Sequence, residues 1–253
     1  MSMLYYKGSK NKFAADIIKH FPQHDLYIEL FMGSGSVFFN KPLAKYNILN
    51  DIDDNLINFW EVVRNNKDEL LQELENLPLH ENLLKREYET TDKILKAALF
   101  LFKNTCSLYG SEDVLKIARA HYKQIMRNVI KHTQSKIQNA LIMNKDYKKA
   151  LAAVGFRNNR EKEKSFCYCD PPYLNTCADY GSFTIERTED LITILINSGI
   201  KFAMSEFDDP LILELAKKYN LNINYIKERR NIKNRRTEIL LTNYINEISL
   251  FKD

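Results

Sequence analysis

The sequence predicts an α/β fold, a doubly wound sheet of mostly parallel strands with a long, mostly helical insertion, and three observations carry this. Over residues 1–64 and again over 140–253, short apolar runs ending in Gly, Asn or Asp alternate with amphipathic stretches, which is the pattern of strands and crossover helices in a parallel sheet. Between them, residues 65–139 run as helix after helix, with Pro78 and Gly110 their one proline and one glycine. The 253 residues are 45% hydrophobic and 28% charged, enough apolar material for one sizeable core carrying an inserted unit.

A helix is expected over 10–21, where Phe13, Ile17 and Phe21 recur at helical spacing and Pro22 ends the run. Residues 26–31 form a short apolar strand, Met32-Gly33-Ser34-Gly35-Ser36 a tight turn, and Val37-Phe38-Phe39 the start of a helix. A second strand over 46–51 ends in Asp51 and leads to a helix over 55–64, completing a βαβ unit. After the insertion come a strand at 140–143, a helix at 148–154, a charged loop at 157–164 and a strand at 166–170. A helix at 187–197, a strand at 201–205, a helix at 210–218 and strands at 222–226 and 238–243 finish the chain.

Composition narrows the function classes. Apolar runs such as 97–102 break long before the roughly 20 residues that a membrane span needs. Lys7, Lys10 and Lys12 leave no apolar region for a signal peptide near Met1. Four cysteines, two of them Cys167 and Cys169 around one residue, form neither a disulfide framework nor a zinc spacing, so a reducing cytoplasm is expected. Cys167 and Cys169 read as buried small hydrophobes on one face of a strand. The formal net charge of +4 is mild but segregated: acids dominate 51–92, whereas from 116 to 149 Asp146 is the one acid among nine Lys and Arg. Arg119, Lys123, Arg127 and Lys131 recur every four residues on one helix face, suited to tracking phosphates or simply to facing water.

Two constellations carry chemistry. In the turn Phe31-Met32-Gly33-Ser34-Gly35, glycines let the backbone bend sharply and let a ligand approach without a Cβ in the way. A nucleoside-containing cofactor fits there, as does an ordinary tight turn. Asp51, 18 residues beyond Gly33 at a strand end, is placed to hold ribose hydroxyls or to cap the helix at 55–64. In Asp170-Pro171-Pro172-Tyr173, two prolines withdraw two backbone donors, so the surface presents acceptors: the Asp170 carboxylate and nearby carbonyls. That suits an amine held by its hydrogens, and Tyr173 adds a flat face able to stack on a base.

Together with Tyr6-Lys7-Gly8-Ser9-Lys10, Arg229-Arg230-Asn231-Ile232 and the run from Glu238 to Tyr244, these motifs resemble the Dam-like D12-class adenine-N6 DNA methyltransferases in their α-type motif order. The resemblance implies a Rossmann-like methyltransferase sheet and S-adenosylmethionine as methyl donor. It places Tyr6, Lys10, Phe31, Gly33 and Gly35 around the cofactor's methionine part, Asp51 on its ribose, and Asp146 with Tyr147 beside its adenine. Asp146, which follows a strand, is equally a helix-cap candidate. Asp170, Pro171, Pro172 and Tyr173 become the catalytic segment: Asp170 and the Pro171 carbonyl would accept the two hydrogens of the adenine amine, and its lone pair would attack the sulfonium methyl in line, with no metal. The base must be flipped out of the duplex, with Tyr173 stacking on it and Tyr180 and Phe183 as pocket walls or simple packing.

The resemblance assigns DNA recognition to 65–139, with Arg119, Lys123, Arg127 and Lys131 on phosphates. There the chain departs from the better-known members: residues 104–110 lead into a basic helix, without their Phe-Asn-Gly-rich hairpin. The expected partner is double-stranded DNA, with a cognate restriction endonuclease as a further partner, in a monomeric, cytoplasmic bacterial or phage-encoded enzyme. An RNA base methyltransferase and a silent DNA-binding subunit of the same fold are the rival readings.

Overall fold

In the computed structural model, residues 4–6, 8–85, 90–107, 121–174, 183–230 and 235–245 are described. Arg119, Lys7, Tyr180 and the segments 108–110 and 231–232 lie outside them.

The amino-terminal arm leads into α1 (Ala14–Ile18), then β1 (Leu26–Glu29), α2 (Ser36–Asn40), β2 (Tyr46–Asp51) and α3 (Asp54–Asn65). The insertion supplies α4 (Lys67–Asn76), α5 (Asn82–Lys85), α6 (Lys93–Cys106) and α7 (Tyr122–Ile137). Alternation resumes with β3 (Ala140–Asn144), α8 (Tyr147–Ala152), α9 (Asn159–Glu163), β4 (Ser165–Cys169), α10 (Ile185–Ser198), β5 (Lys201–Phe207), α11 (Pro210–Lys218), β6 (Asn222–Arg230) and β7 (Arg235–Thr242).

The strands form one sheet in the order β3-β2-β1-β4-β5-β7-β6. The first five are mutually parallel, and β7 runs antiparallel between β5 and β6. Strand order reverses between β1 and β4, so the loops leaving their carboxyl ends diverge and open a crevice there. Side chains alternate between two apolar layers, as the period of two requires. Tyr27, Phe166 and Tyr168 enter one layer, while Ile28, Cys167 and Cys169 enter the other. The two buried thiols lie 3.7 Å apart, in keeping with the packing role expected of them.

The first layer extends into the insertion. Leu70 and Leu74 of α4, Ala97 to Phe102 of α6 and Met126, Val129 and Ile130 of α7 share a cluster with Phe38, Phe59 and Trp60. Six successive buried residues, Ala97 to Phe102, make the middle of α6 apolar all round, the mark of a segment covered on every side. The change at residue 65 is thus one of architecture, from alternation to helices, without a break in packing.

Two departures from the expected elements have physical reasons. The charged loop at 157–164 contains α9, whose Asn158 cap accepts from Glu161 N. No residue of α9 is buried, so it has no apolar period to betray it. The last two strands run longer than their apolar stretches because the β6/β7 hairpin continues through Lys, Glu and Arg, with a register shift between Tyr225 and Lys227.

Candidate active site

The carboxyl edge of the sheet collects the turn after β1, Asp51 at the end of β2, Asp146 after β3, the Asp170 segment after β4 and Phe207 at the end of β5. Asn50 stitches three of these ends together: its amide donates to Leu30 O at 3.0 Å and to Lys145 O at 2.9 Å, and its carbonyl accepts from Lys145 N.

In the turn, Gly33 and Gly35 have φ of 49° and 66°, left-handed values that favour glycine. A Cβ on Gly35 would lie 2.4 Å from the Phe39 ring, whereas one on Gly33 would meet Tyr6 at an ordinary 3.5 Å. Helix α2 is only five residues long, so the turn offers glycine backbone rather than a strong helix dipole. Asp51 accepts from Gly33 N at 2.8 Å and from Asp53 N at 3.1 Å. Burial raises its pKa to about 6 against the pull of those hydrogen bonds. The cap of α3 is Asp53, which accepts from Asn55 N and Leu56 N. That removes the helix-cap alternative for Asp51.

Asp146, by contrast, does cap α8 through Lys148 N at 3.0 Å. Tyr147 is buried, and its hydroxyl donates to Asp190 at 2.7 Å. Its ring centroid lies 5.6 Å from Phe31 and 6.2 Å from Phe183, giving an aromatic trio beside the turn. Phe183 is therefore a packed member of this wall. An open recess next to it is lined by Asp146, Tyr147, Lys148, Glu186, Arg187 and Asp190.

Across the switch point, Lys10 is 4% exposed, and its ammonium lies 2.7 Å from Asp170 Oδ1 and 3.5 Å from Glu238 Oε1. It also sits 4.3 Å from the centre of the Tyr173 ring, within cation–π reach. The Tyr173 hydroxyl donates to Glu238 Oε1, and its ring packs at right angles to Phe207 at 4.6 Å. Tyr173 is consequently buried at 6% exposure, with Lys10 and Phe207 packed about its ring. Asp170 Oδ1 is itself buried, and the Lys10 ammonium is its close partner.

Glu206 at the end of β5 accepts from Leu174 N and Phe207 N, each at 2.7 Å, and so ties the residue after Tyr173 to the neighbouring strand. Burial lifts its pKa to about 7. Glu29 at the end of β1 is lifted to about 8 by burial, although the Tyr27 hydroxyl donates to it at 2.7 Å. The amino-terminal arm spans both sides: Tyr6 donates to Asp53 at 2.9 Å, and Lys10 reaches Asp170.

Tyr6, Lys10, Phe31, Gly33, Gly35, Asp51, Asp146, Tyr147 and the Asp170–Tyr173 segment thus come to one edge. Lys123, Arg127 and Lys131 stand apart on α7, where Lys123 donates to Glu75 O and Arg127 pairs with the Glu75 carboxylate. Sequence reasoning gave no individual role to Asp53, Glu206 or Glu238. The signal for the last two was a carboxylate inside an apolar strand, Met204-Ser205-Glu206-Phe207 and Glu238-Ile239-Leu240-Leu241.

The chain matches the family of D12 class N6 adenine-specific DNA methyltransferases over residues 6–232. It is 28% identical to the DNA adenine methylase of Escherichia coli strain K12, covering 91% of this chain and 88% of that protein. To the DNA adenine methylase of Vibrio cholerae strain O395 it is 26% identical, covering 91% and 89%. Among solved structures it superposes on the rRNA methyltransferase aviRa of Streptomyces viridochromogenes with a TM-score of 0.44 at 12% identity, covering 92% of this chain and 84% of that one. Because the family match takes in both sides of the switch point and the helices between them, this chain belongs to the D12 class of N6 adenine-specific DNA methyltransferases.

Proposed function

We propose that the two sides of the crevice divide the substrates of this reaction, with S-adenosylmethionine on the β1/β2 side and a flipped adenine at Asp170. The carrying observation is the Asp170 carboxylate at the crevice, whose buried Oδ1 already draws a nitrogen group, the Lys10 ammonium, to 2.7 Å beside the Tyr173 ring, the place the adenine amine would take.

The residues fit the cofactor. Gly33 and Gly35 leave the turn bare of side chains, and Asp51 retains lone pairs beyond the two that accept Gly33 N and Asp53 N. The trio Phe31, Tyr147 and Phe183 offers an apolar wall for a purine. When bound, S-adenosylmethionine supplies an electrophilic methyl on a sulfonium. The protein's part is to hold the adenine amine by its hydrogens, through the Asp170 carboxylate and the Pro171 carbonyl, so that the nitrogen lone pair points across the crevice. Glu206 keeps the segment in register by fixing Leu174 N. Direct displacement leaves no covalent enzyme intermediate and needs no Lewis acid.

On this reading α7 meets the phosphates of double-stranded DNA through Lys131, and through Lys123 and Arg127 once they exchange Glu75 for phosphate. Such an enzyme works either beside a restriction endonuclease acting on the same site or alone. The test is to incubate the protein with S-adenosylmethionine and DNA of mixed sequence and to map modified bases. N6-methyladenine at one recurring motif is expected; N4-methylcytosine, or label entering RNA instead, overturns the assignment.

A further inference from the structure

In this structure Lys10 occupies the two positions that the proposed reading gives to adenine: its ammonium is against Asp170 at 2.7 Å and 4.3 Å from the Tyr173 ring centre. A base cannot bond to Asp170 and lie on Tyr173 while that ammonium stays. Lys10 is almost fully buried, so simple release into water would leave the arm unpacked. A second carboxylate is already within reach. Glu238 is fully buried on β7 opposite Phe207, 3.5 Å from the same ammonium, and holds the Tyr173 hydroxyl. A buried charge without a partner is costly, whereas exchange between two carboxylates keeps the cation paired throughout.

We propose that Glu238 is a positioning residue that receives Lys10 when adenine enters, freeing Asp170 and one face of Tyr173 while still anchoring the Tyr173 hydroxyl. The resting enzyme fills its own base pocket with Lys10. Glu238 fixes how far the lysine must move, a shift of contact from 2.7 Å on one acid to closer pairing with the other. The inference rests on the assignment of Asp170 and Tyr173 as the base pocket.

Base entry can be read without catalysis, using a duplex that carries the mapped motif with 2-aminopurine in place of the target adenine, whose fluorescence rises when it leaves the stack. Glu238→Gln keeps an acceptor for Tyr173 but no charge for Lys10, and should lower the fluorescence gain at least threefold. In the Lys10→Ala background the same substitution should change nothing, because no cation remains to be received. Glu238→Asp, which keeps the charge and shortens the reach, should fall between wild type and Glu238→Gln and serves if the latter folds poorly. A wild-type gain in the Glu238 variants, or a loss that persists in the Lys10→Ala background, overturns the proposal. Asp170→Asn, assayed for methyl transfer to ordinary adenine, separates the two levels. Wild-type turnover there rejects the pocket assignment itself, while an inactive Asp170→Asn beside indifferent Glu238 variants rejects the role of Glu238 alone.

Discussion

The two sides of the switch point are built from different materials. On the β1/β2 side the site is backbone: two left-handed glycines, an aspartate pinned by main-chain N–H groups, and Trp60 donating to Gly33 O at 3.2 Å. On the β4/β5/β7 side it is charge: Lys10, Asp170, Glu206 and Glu238, three of them under 5% exposed. A glycine turn pinned by Asp51 at its N–H and by Trp60 at its carbonyl has one arrangement. An ion cluster has several, because one cation can pair with more than one acid. On the proposed reading, the side given to a cofactor of constant shape is fixed, and the side given to a base from a duplex is exchangeable.

That contrast breaks most sharply at Asp170. Asp170→Asn should lower methyl transfer roughly 10²–10³-fold while calorimetric cofactor affinity stays near wild type; a parallel loss of cofactor binding would mean the sides are not separable. Asp51→Ala should do the reverse, weakening S-adenosylmethionine by about 1.5–3 kcal/mol and leaving DNA affinity unchanged in filter binding. Gly35→Ala should cost about 1–3 kcal/mol of stability in urea, because its Cβ would strike Phe39 at 2.4 Å. Gly33→Ala, with no such clash, should cost only about 1 kcal/mol.

The charged side should also respond to pH. Glu206 holds its proton to about pH 7 in the folded chain, against an ordinary 4.5, because burial disfavours the carboxylate. The stability linked to that proton is complete below about pH 4.5 and is lost as pH rises through 7. Glu206→Gln, which imitates the protonated acid, should therefore gain on wild type between pH 5.5 and 8.5 in denaturation midpoint; a constant difference would place the titration elsewhere. The smallest effect is expected at the insertion. Glu75→Gln should strengthen DNA binding a few-fold by releasing Arg127, and Lys131→Ala should flatten the slope of log affinity against log salt by about 0.9 if it meets one phosphate.

How much of this was legible in the sequence follows the same division. Strand β2, helix α11 and the glycine turn could be read because apolar runs and glycine spacing are local signals. Asp170-Pro171-Pro172-Tyr173 could be read because its chemistry lies within four residues. The partners of that motif could not: Lys10, Glu206 and Glu238 come from three distant segments, and only the order of strands in the sheet makes them neighbours. Asp53 was overshadowed by Asp51 two residues earlier, since either carboxylate suits a cap and only geometry distinguishes them. The Lys123 and Arg127 face looked open in the sequence because Glu75 belongs to another helix.

The joining of Lys10 to Glu238 has a consequence for how the enzyme comes into being. At the opposite end of β7, the Tyr244 hydroxyl donates to His20 O across a separation of 224 positions, so early and late segments meet at both ends of that strand. Contacts this remote in sequence close late and slow the search for the native state. A ribosome that has delivered the glycine turn and even the Asp170 segment has not yet delivered β7, and a nascent chain at that stage lacks the acid that holds Tyr173. On the proposed reading, the Asp170 side is therefore completed only after β7 has been made.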